Sequence, residues 1–402
     1  MCIRDRDNKR PSKVRKELPR FIEKGITGFI RDTLDEEDKK IIVKSASTLR
    51  GFIEKPSNIS VVIAPEETIF LEDLEDIIED QDFKTLNLQV FSGLTDEKRK
   101  LHLVNDLLNA LVLISNYVLI PSLSYGSQLA LGALGVTLVF GILRFANFAH
   151  GEMMSFATMG TIFITWWLQS LGISAGFFPT ALLALPFGIL LTMLLVGITE
   201  RSVFRFYRLR KSRPVIFVIA SVGVMFMLNG IVRLFIGTDE IIFRDGQKFL
   251  IKAGEFKKMT GLSQGLALKQ TQLLTVLLAV LAVAALFWFL QRTRTGKAMR
   301  AYSDNEDLAL LSGINPERVV LATWLITAVL ITLAGVLYGL DKSFNPLVYF
   351  HLLLPIFAAA IVGGIGQPLG AILGGFIVAF SEISATYAFK KFLKYLLPSE
   401  MA

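Results

Sequence analysis

Cysteine is nearly absent from this chain. Its one thiol, Cys2, excludes an intrachain disulfide and a cysteine-rich metal site. Histidine is almost as scarce, and His102, His150 and His351 lie too far apart in sequence to form a clustered ligand set, so no metal is expected. There is no phosphate-binding Gly-x-x-x-x-Gly-Lys-Ser/Thr loop, because the stretch from Thr295 to Ala298 lacks both the first glycine and the hydroxyl. No paired nucleophile and base lies inside an apolar segment, which argues against an intramembrane enzyme. Charge is thin: 19% of residues are charged against 52% hydrophobic, and the mean hydropathy is +0.53. That is too apolar for an ordinary soluble domain and fits a polytopic membrane protein. Basic residues are not interleaved with aromatics on a polar face, which excludes a nucleic-acid partner.

The charge that exists is uneven. Residues 1–100 carry 19 basic and 21 acidic side chains, and the remainder carries 23 and 14. The first hundred residues read as a soluble extension with no apolar run long enough for a signal peptide. A helix is predicted over 36–52 and another over 69–78, with strands over 59–64 and 86–91. A small α/β module accounts for this pattern, and so does a fused foreign coding sequence. Residues 1–6 resemble a translated sequencing-adapter remnant and are set aside from fold reasoning. The acidic run 72–82 reads as a solvated helix face.

From Leu101 onward the expected class is an all-α polytopic bundle. Nine apolar segments are predicted, at 103–121, 123–143, 153–171, 177–199, 214–236, 271–291, 318–340, 350–366 and 369–388. Each approaches the roughly 20 residues that cross a bilayer as a helix. Segment 123–143 is glycine-rich, with Gly126 and Gly132, and so is the stretch 360–375, with Gly363, Gly364, Gly366 and Gly370. Small residues let helix backbones approach closely and also mark broken or re-entrant helices, so eight or nine segments are expected, some of them incomplete. These glycines read as packing and helix-break positions rather than ligands.

Between two charge-free segments lies Ile142 to Glu152, with Arg144, Asn147, His150 and Glu152 within nine residues. Polar groups there are costly unless they face water, protein or a passing solute. Two roles remain open. Asn147, His150 and the Gly151 backbone can cap and lock a tight joint, or they can line the path with Glu152 as an acceptor for an ammonium group.

The basic loops give orientation. Stretch 201–213 holds six basic residues and no acid, and 292–300 holds four, so 201–213 and 292–317 are expected in the cytoplasm. Loop 237–270 is then outside, and the N-terminal region is inside if 103–121 spans. In the second basic loop, Asp304 or Asn305 can cap a short amphipathic helix ending at Gly313 and presenting Leu308, Ala309, Leu311 and Ser312, a surface suited to a partner subunit or to a plain connector.

Four stretches together resemble one family. They are Tyr125 to Gly141; Phe145-Ala-Asn-Phe-Ala-His-Gly-Glu152; Thr293 through Gly313-Ile-Asn315; and Val362-Gly-Gly-Ile-Gly-Gln-Pro-Leu-Gly-Ala-Ile-Leu-Gly-Gly375. The chain resembles the LivH/LivM-type permeases, membrane subunits of branched-chain amino acid ABC importers, and is nearest the LivH type. Related permeases import urea and short amides. The likeness covers about residues 105–398. It implies a non-catalytic, inner-membrane subunit that pairs with a second permease subunit. Two cytoplasmic ATP-binding subunits dock on its loops and bind the ATP, so this chain needs no cofactor of its own, and a periplasmic binding protein delivers the solute. It also implies an ATPase-coupling loop carried by Gly296, Arg300, Asp304, Leu308, Gly313 and Asn315. The family usually has one more membrane helix after the position of Leu397, so a C-terminal truncation is expected. The rival readings are a urea or short-amide importer, and, outside this class, a stand-alone channel or intramembrane enzyme.

Overall fold

A computed structural model describes residues 59–63, 88–92, 96–174, 176, 178–243 and 248–396. It divides into two compact units, Met1–Leu108 and Asn109–Ala402. In the first, strands β1 (Ile59–Ile63) and β2 (Leu88–Ser92) pair antiparallel, Ile59 opposite Ser92 and Ile63 opposite Leu88. The helices expected over 36–52 and 69–78, the acidic run 72–82 and residues 1–6 lie outside the described residues.

The second unit is helical. Helix α1 (Asp96–Ile114) passes through a π-helical turn, Ser115–Leu119, into α2 (Ile120–Leu143). Two spans were expected here, split near residue 122, and the structure instead has one helix, apolar over Val104–Leu143. Forty residues rise about 60 Å, twice a bilayer core, so hydropathy divides a helix whose backbone is continuous. The π turn explains how Pro121 is tolerated. Its ring would clash with the carbonyl four residues back in a regular helix, and the wider turn, closed by the Ile120 N–H on the Ser115 carbonyl, relieves that register.

Next come α3 (His150–Ser170) and α4 (Ala181–Thr199), which continues through a second π turn (Glu200–Phe204) into α5 (Arg205–Leu209). Most of the expected basic loop is therefore helix, and only 210–213 leave it. Basic side chains at a helix C-terminus are favoured by the helix dipole. Helix α6 (Pro214–Ile236) leads to a connection bearing β3 (Phe249–Ile251), α7 (Ala253–Thr260) and β4 (Leu268–Lys269). Then follow α8 (Gln270–Arg292), the short helices α9 (Arg294–Asp304) and α10 (Glu306–Leu311), and α11 (Pro316–Asp341), α12 (Pro346–Val362) and α13 (Pro368–Leu396).

Among the described residues, six helices are long and apolar enough to cross a membrane, namely α1–α2, α4–α5, α6, α8, α11 and α13. Helix α12 is apolar but short, and α3 carries the polar start described below. Large apolar side chains such as Leu190, Leu194, Phe226, Val280 and Leu373 are exposed around the rim, a surface that suits lipid rather than water.

Helix α2 is the axis of the bundle, with nearly every side chain buried. Close approach explains its composition. A Cβ on Gly126 would meet the Phe376 ring at 2.6 Å, and one on Gly132 would meet Ile356 at 2.8 Å. The two ends of α2 lie on opposite faces. At one, the Asn116 amide donates to the Gly265 carbonyl at 2.6 Å and Ser124 donates to Asp341 at 3.3 Å. At the other, the Ser303 hydroxyl donates to the Gly141 carbonyl at 3.0 Å. Asn116 therefore shares a face with the 249–269 connection, opposite the basic loops.

Candidate functional site

The joint after α2 turns back into the bundle. Arg144 ends α2 with φ 58°, a left-handed conformation that reverses the chain, and its guanidinium donates to the Ser303 carbonyl. Phe145 then buries against Phe204 at 5.3 Å and Phe217 at 5.2 Å, and Phe204 stacks on Trp324. Helix α3 begins only at His150, whose ring lies against Gly135 and Thr327. Gly135 is eight residues above the end of α2 and Thr327 eleven above the start of α11, so the imidazole sits about 12–16 Å inside the bundle. The joint starts at Arg144 on the basic-loop side and runs inward to His150, a depth its apolar flanks do not reveal.

The polar groups of the joint are used unequally. The Asn147 side-chain oxygen accepts from the Ala149 N–H at 3.1 Å, and its amide points at the Met153 sulfur at 3.9 Å. The Phe148 N–H donates to the Ser221 hydroxyl of α6 at 3.1 Å. Glu152, 1% exposed, accepts from the Asn229 amide at 2.7 Å through one oxygen, while the other has no partner. Arg233, one turn further along α6, supplies the neighbouring positive charge. His150 is fully buried beside the Gly132 backbone, with neither ring nitrogen in a well-formed hydrogen bond. Gly151 lets α3 start against α12, since a Cβ there would lie 2.8 Å from the Tyr349 carbonyl.

Sequence reasoning missed Ser221, Asn229 and Arg233. Asn229 and Arg233 are polar residues four apart in an otherwise apolar helix, a signal that does point inward. Among the described residues no group of three or more His, Cys, Asp or Glu could hold a metal ion.

The other named glycines fall at helix crossings and a turn. At the crossing of α12 and α13, a Cβ on Gly363 would lie 2.0 Å from the Gly370 carbonyl, and one on Gly370 1.7 Å from the Gly363 carbonyl. Gly364 and Gly366, at φ 93° and 87°, form the turn between these helices.

The loop expected to couple to a partner is mostly helix. The Thr293 hydroxyl caps α9 by accepting from the Gly296 N–H at 3.0 Å, and Gly296 has no room for a side chain against the Phe289 carbonyl. Asn305, not Asp304, caps α10, accepting from the Leu308 N–H at 3.0 Å, and Asp304 is the last residue of α9. Gly313, at φ 78°, ends α10, and Asn315 caps α11 through the Glu317 N–H at 2.9 Å. Leu308, Leu310 and Leu311 are exposed and Ala309 is buried, which corrects the expected face by exchanging Ala309 for Leu310. Arg300 is exposed on α9. Tyr302 is buried beneath, and its hydroxyl donates to Glu306 at 2.5 Å; burial and that carboxylate push the phenol's pKa well up, so it stays a neutral donor. Arg205 and Arg208 on α5 both pair with Glu317, binding the two basic regions together.

The joint and the α9–α10 face are linked by the reciprocal contacts of Arg144 and Gly141 with Ser303. Comparison with known proteins adds an independent line. Residues 118–401 match the family described as the branched-chain amino acid transport system permease component. The chain is 32% identical to the high-affinity branched-chain amino acid transport system permease protein LivH of Escherichia coli over 273 residues, covering 65% of this chain and 83% of that protein. It is 30% identical to the permease protein BraD of Pseudomonas aeruginosa, covering 66% and 84%, and 27% identical to a probable LivH of Methanocaldococcus jannaschii, covering 67% and 81%. No solved structure matches. With a helical membrane bundle, the signature joint and a family match across most of its length, the chain belongs to the branched-chain amino acid permease family of ABC transporters.

Proposed function

We propose that this chain is the membrane-spanning subunit of an ATP-driven importer of branched-chain amino acids. It pairs with a second permease subunit, receives solute from a binding protein on the outer side and is driven by two ATP-binding subunits on the basic-loop side. ATP is bound by those partners. The observation that carries the reading is the α10 surface: Leu311 is 84% exposed and Leu308 61%, on the same face as the basic stretches and tied to α2 through Ser303. Exposed leucines on a six-residue helix held by an Asn cap and a Gly stop form a rigid apolar knob that suits a groove in a partner protein. Basic residues flanking the membrane helices support a cytoplasmic placement of this face.

The joint is assigned a mainly structural role in this mechanism. Its Asn147 and backbone hydrogen bonds fix where α3 begins, and α3 in turn positions Glu152 against Asn229 and Arg233. Movement of α9 reaches the joint through Ser303, Gly141 and Arg144.

Replacing Leu308 and Leu311 together by Glu tests the coupling. Both side chains are exposed, so insertion and folding are expected to persist while ATP-driven leucine uptake into proteoliposomes falls by at least tenfold. Undiminished uptake with the double variant would exclude the α10 surface as the driving contact.

A further inference from the structure

Helix α4 carries an exposed apolar stripe at four-residue steps, Leu190, Leu194 and Ile198, on the side that faces lipid. Arg201 stands eleven residues beyond Leu190, about three turns, so it shares that side, and it too is exposed. From Ala181 to Arg201 the continuous helix rises about 30 Å, the thickness of a bilayer core, which brings Arg201 to the level of the lipid headgroups. Phe206 and Leu209 of α5 are exposed beyond it, and Val215 and Ile219 are exposed on the returning α6. The charges of the α5–α6 hairpin are therefore set among apolar side chains at the membrane edge rather than clear of them.

Those charges are unbalanced. Six basic residues lie between Arg201 and Arg213, and no acidic residue follows until Asp239. Two of the six are committed within the chain: Arg205 pairs with Glu317, and Arg208 with Glu200 and Glu317. Arg201, Lys211 and Arg213 are exposed and form no ion pair among the described residues. Arg210 lays its guanidinium 4.0 Å over the Phe206 ring, a contact that uses the face of the group and leaves its N–H edge for an acceptor. The other basic stretch differs. Arg292, Arg294, Lys297 and Arg300 are just as exposed, but Asp304, Glu306 and Asp307 follow within seven residues and offset most of their charge. Cations without counter-ions at headgroup depth, flanked by apolar surface on two helices, match an acidic phospholipid.

We propose that the α5–α6 hairpin binds an acidic phospholipid, with its phosphate held by Arg201, Arg210, Lys211 and Arg213 and its acyl chains along Ile198 of α4 and Val215 and Ile219 of α6. A zwitterionic phospholipid offers the same chains but carries its own cation, so the discrimination is electrostatic. The bound lipid braces the helix from which Arg205 and Arg208 hold Glu317, in the first turn of α11. This assignment rests on the membrane location of the bundle and not on which solute crosses it.

The test is native mass spectrometry of the full chain with its partner subunits, released from micelles supplied with equal amounts of phosphatidylglycerol and phosphatidylcholine of matched chains. Phosphatidylglycerol is expected to be retained at least tenfold more, a ratio that about one or two basic contacts near a membrane surface supply. Arg201→Gln, Arg210→Gln, Lys211→Gln and Arg213→Gln together are expected to remove the preference. Arg292→Gln, Arg294→Gln, Lys297→Gln and Arg300→Gln together take the same charge from the same face and are expected to leave it. Phosphatidylglycerol with a diazirine on one acyl chain, applied to the unaltered complex, gives a readout that misfolding of a variant cannot confound, and is expected to label peptides within 194–219. Equal retention of the two lipids, equal loss of preference in both quadruple variants, displacement of the lipid by free glycerol phosphate, or labelling confined to other peptides would each overturn the proposal.

Discussion

Gly135 and His150 make a test of how tightly the joint is built. A Cβ at Gly135 would stand 2.7 Å from His150 Cε1 and 3.3 Å from Nε2, with the Thr327 methyl at 3.4 Å. The imidazole cannot step aside easily, because it is fully buried between α2 and α11. Gly135→Ala therefore has two opposed effects. Removing a mid-helix glycine stabilises by roughly 0.5–1 kcal/mol, and overpacking a filled site costs about 1–3 kcal/mol. The net expectation for the single substitution is destabilisation by about 1 kcal/mol. Truncating the ring to His150→Ala removes the obstacle. In that background Gly135→Ala is expected to stabilise by about 0.5–1 kcal/mol, a reversal of sign with a coupling energy of ~1–3 kcal/mol. Unfolding in mixed micelles of increasing SDS fraction, followed by tryptophan fluorescence, measures all four corners of the cycle. The same effect of Gly135→Ala in both backgrounds would refute the claim that the histidine ring fills the space this glycine leaves.

Further outcomes follow from the packing and from the two faces of the bundle. Asn229→Ala leaves the buried Glu152 oxygen without its donor at 2.7 Å and should cost about 1–3 kcal/mol in the same unfolding assay, whereas Asn229→Gln, which keeps an amide, should recover part of the loss. Gly370→Ala forces a Cβ into the Gly363 carbonyl, a backbone atom that cannot rotate away, so size-exclusion profiles of the detergent-purified variant should show little monodisperse protein. Gly172→Ala, with open space around it, bears only the strain of φ 76° and should remain monodisperse. Single cysteines introduced at Lys211, Lys297 and Lys257 in a Cys2→Ser background should divide by face: a membrane-impermeant maleimide should label Lys257→Cys from outside, and Lys211→Cys and Lys297→Cys only after permeabilisation.

Much of the helical architecture was legible because bilayer solvation imposes long apolar runs, and the runs at 214–236, 271–291 and 318–340 lie within a few residues of α6, α8 and α11. A cap was legible where one side chain decides it, as at Asn305, one of the two residues expected to start α10. Errors arose where two physical criteria compete. Hydropathy divided the α1–α2 helix at Pro121, although the backbone continues through a π turn. Charge made a loop of 201–209, although basic residues suit a helix C-terminus as well as a connection. On α10, the choice between Ala309 and Leu310 for the exposed face depends on what packs beneath the helix, which no local pattern contains.

The joint shows where sequence reasoning stops for a deeper reason. Polar residues flanked by two membrane segments read equally well as an interfacial loop or as a buried re-entry, since both satisfy the rule that polar groups avoid lipid. Depth is set by Gly135, Gly151 and the aromatic cluster around Phe145, each of which looks like ordinary packing on its own. Once depth is known, the polar atoms separate by use. Asn147 spends its side-chain oxygen on the local turn, so its residue type is explained by the start of α3. Glu152 engages one oxygen with α6, which fixes α3 against that helix and leaves the other oxygen unengaged. His150 makes no well-formed hydrogen bond, yet its shape fills the notch at Gly135. The same short motif therefore combines a turn former, a cross-helix tether and a space filler, while the unengaged Glu152 oxygen and the His150 nitrogens keep a burial cost that these contacts do not offset.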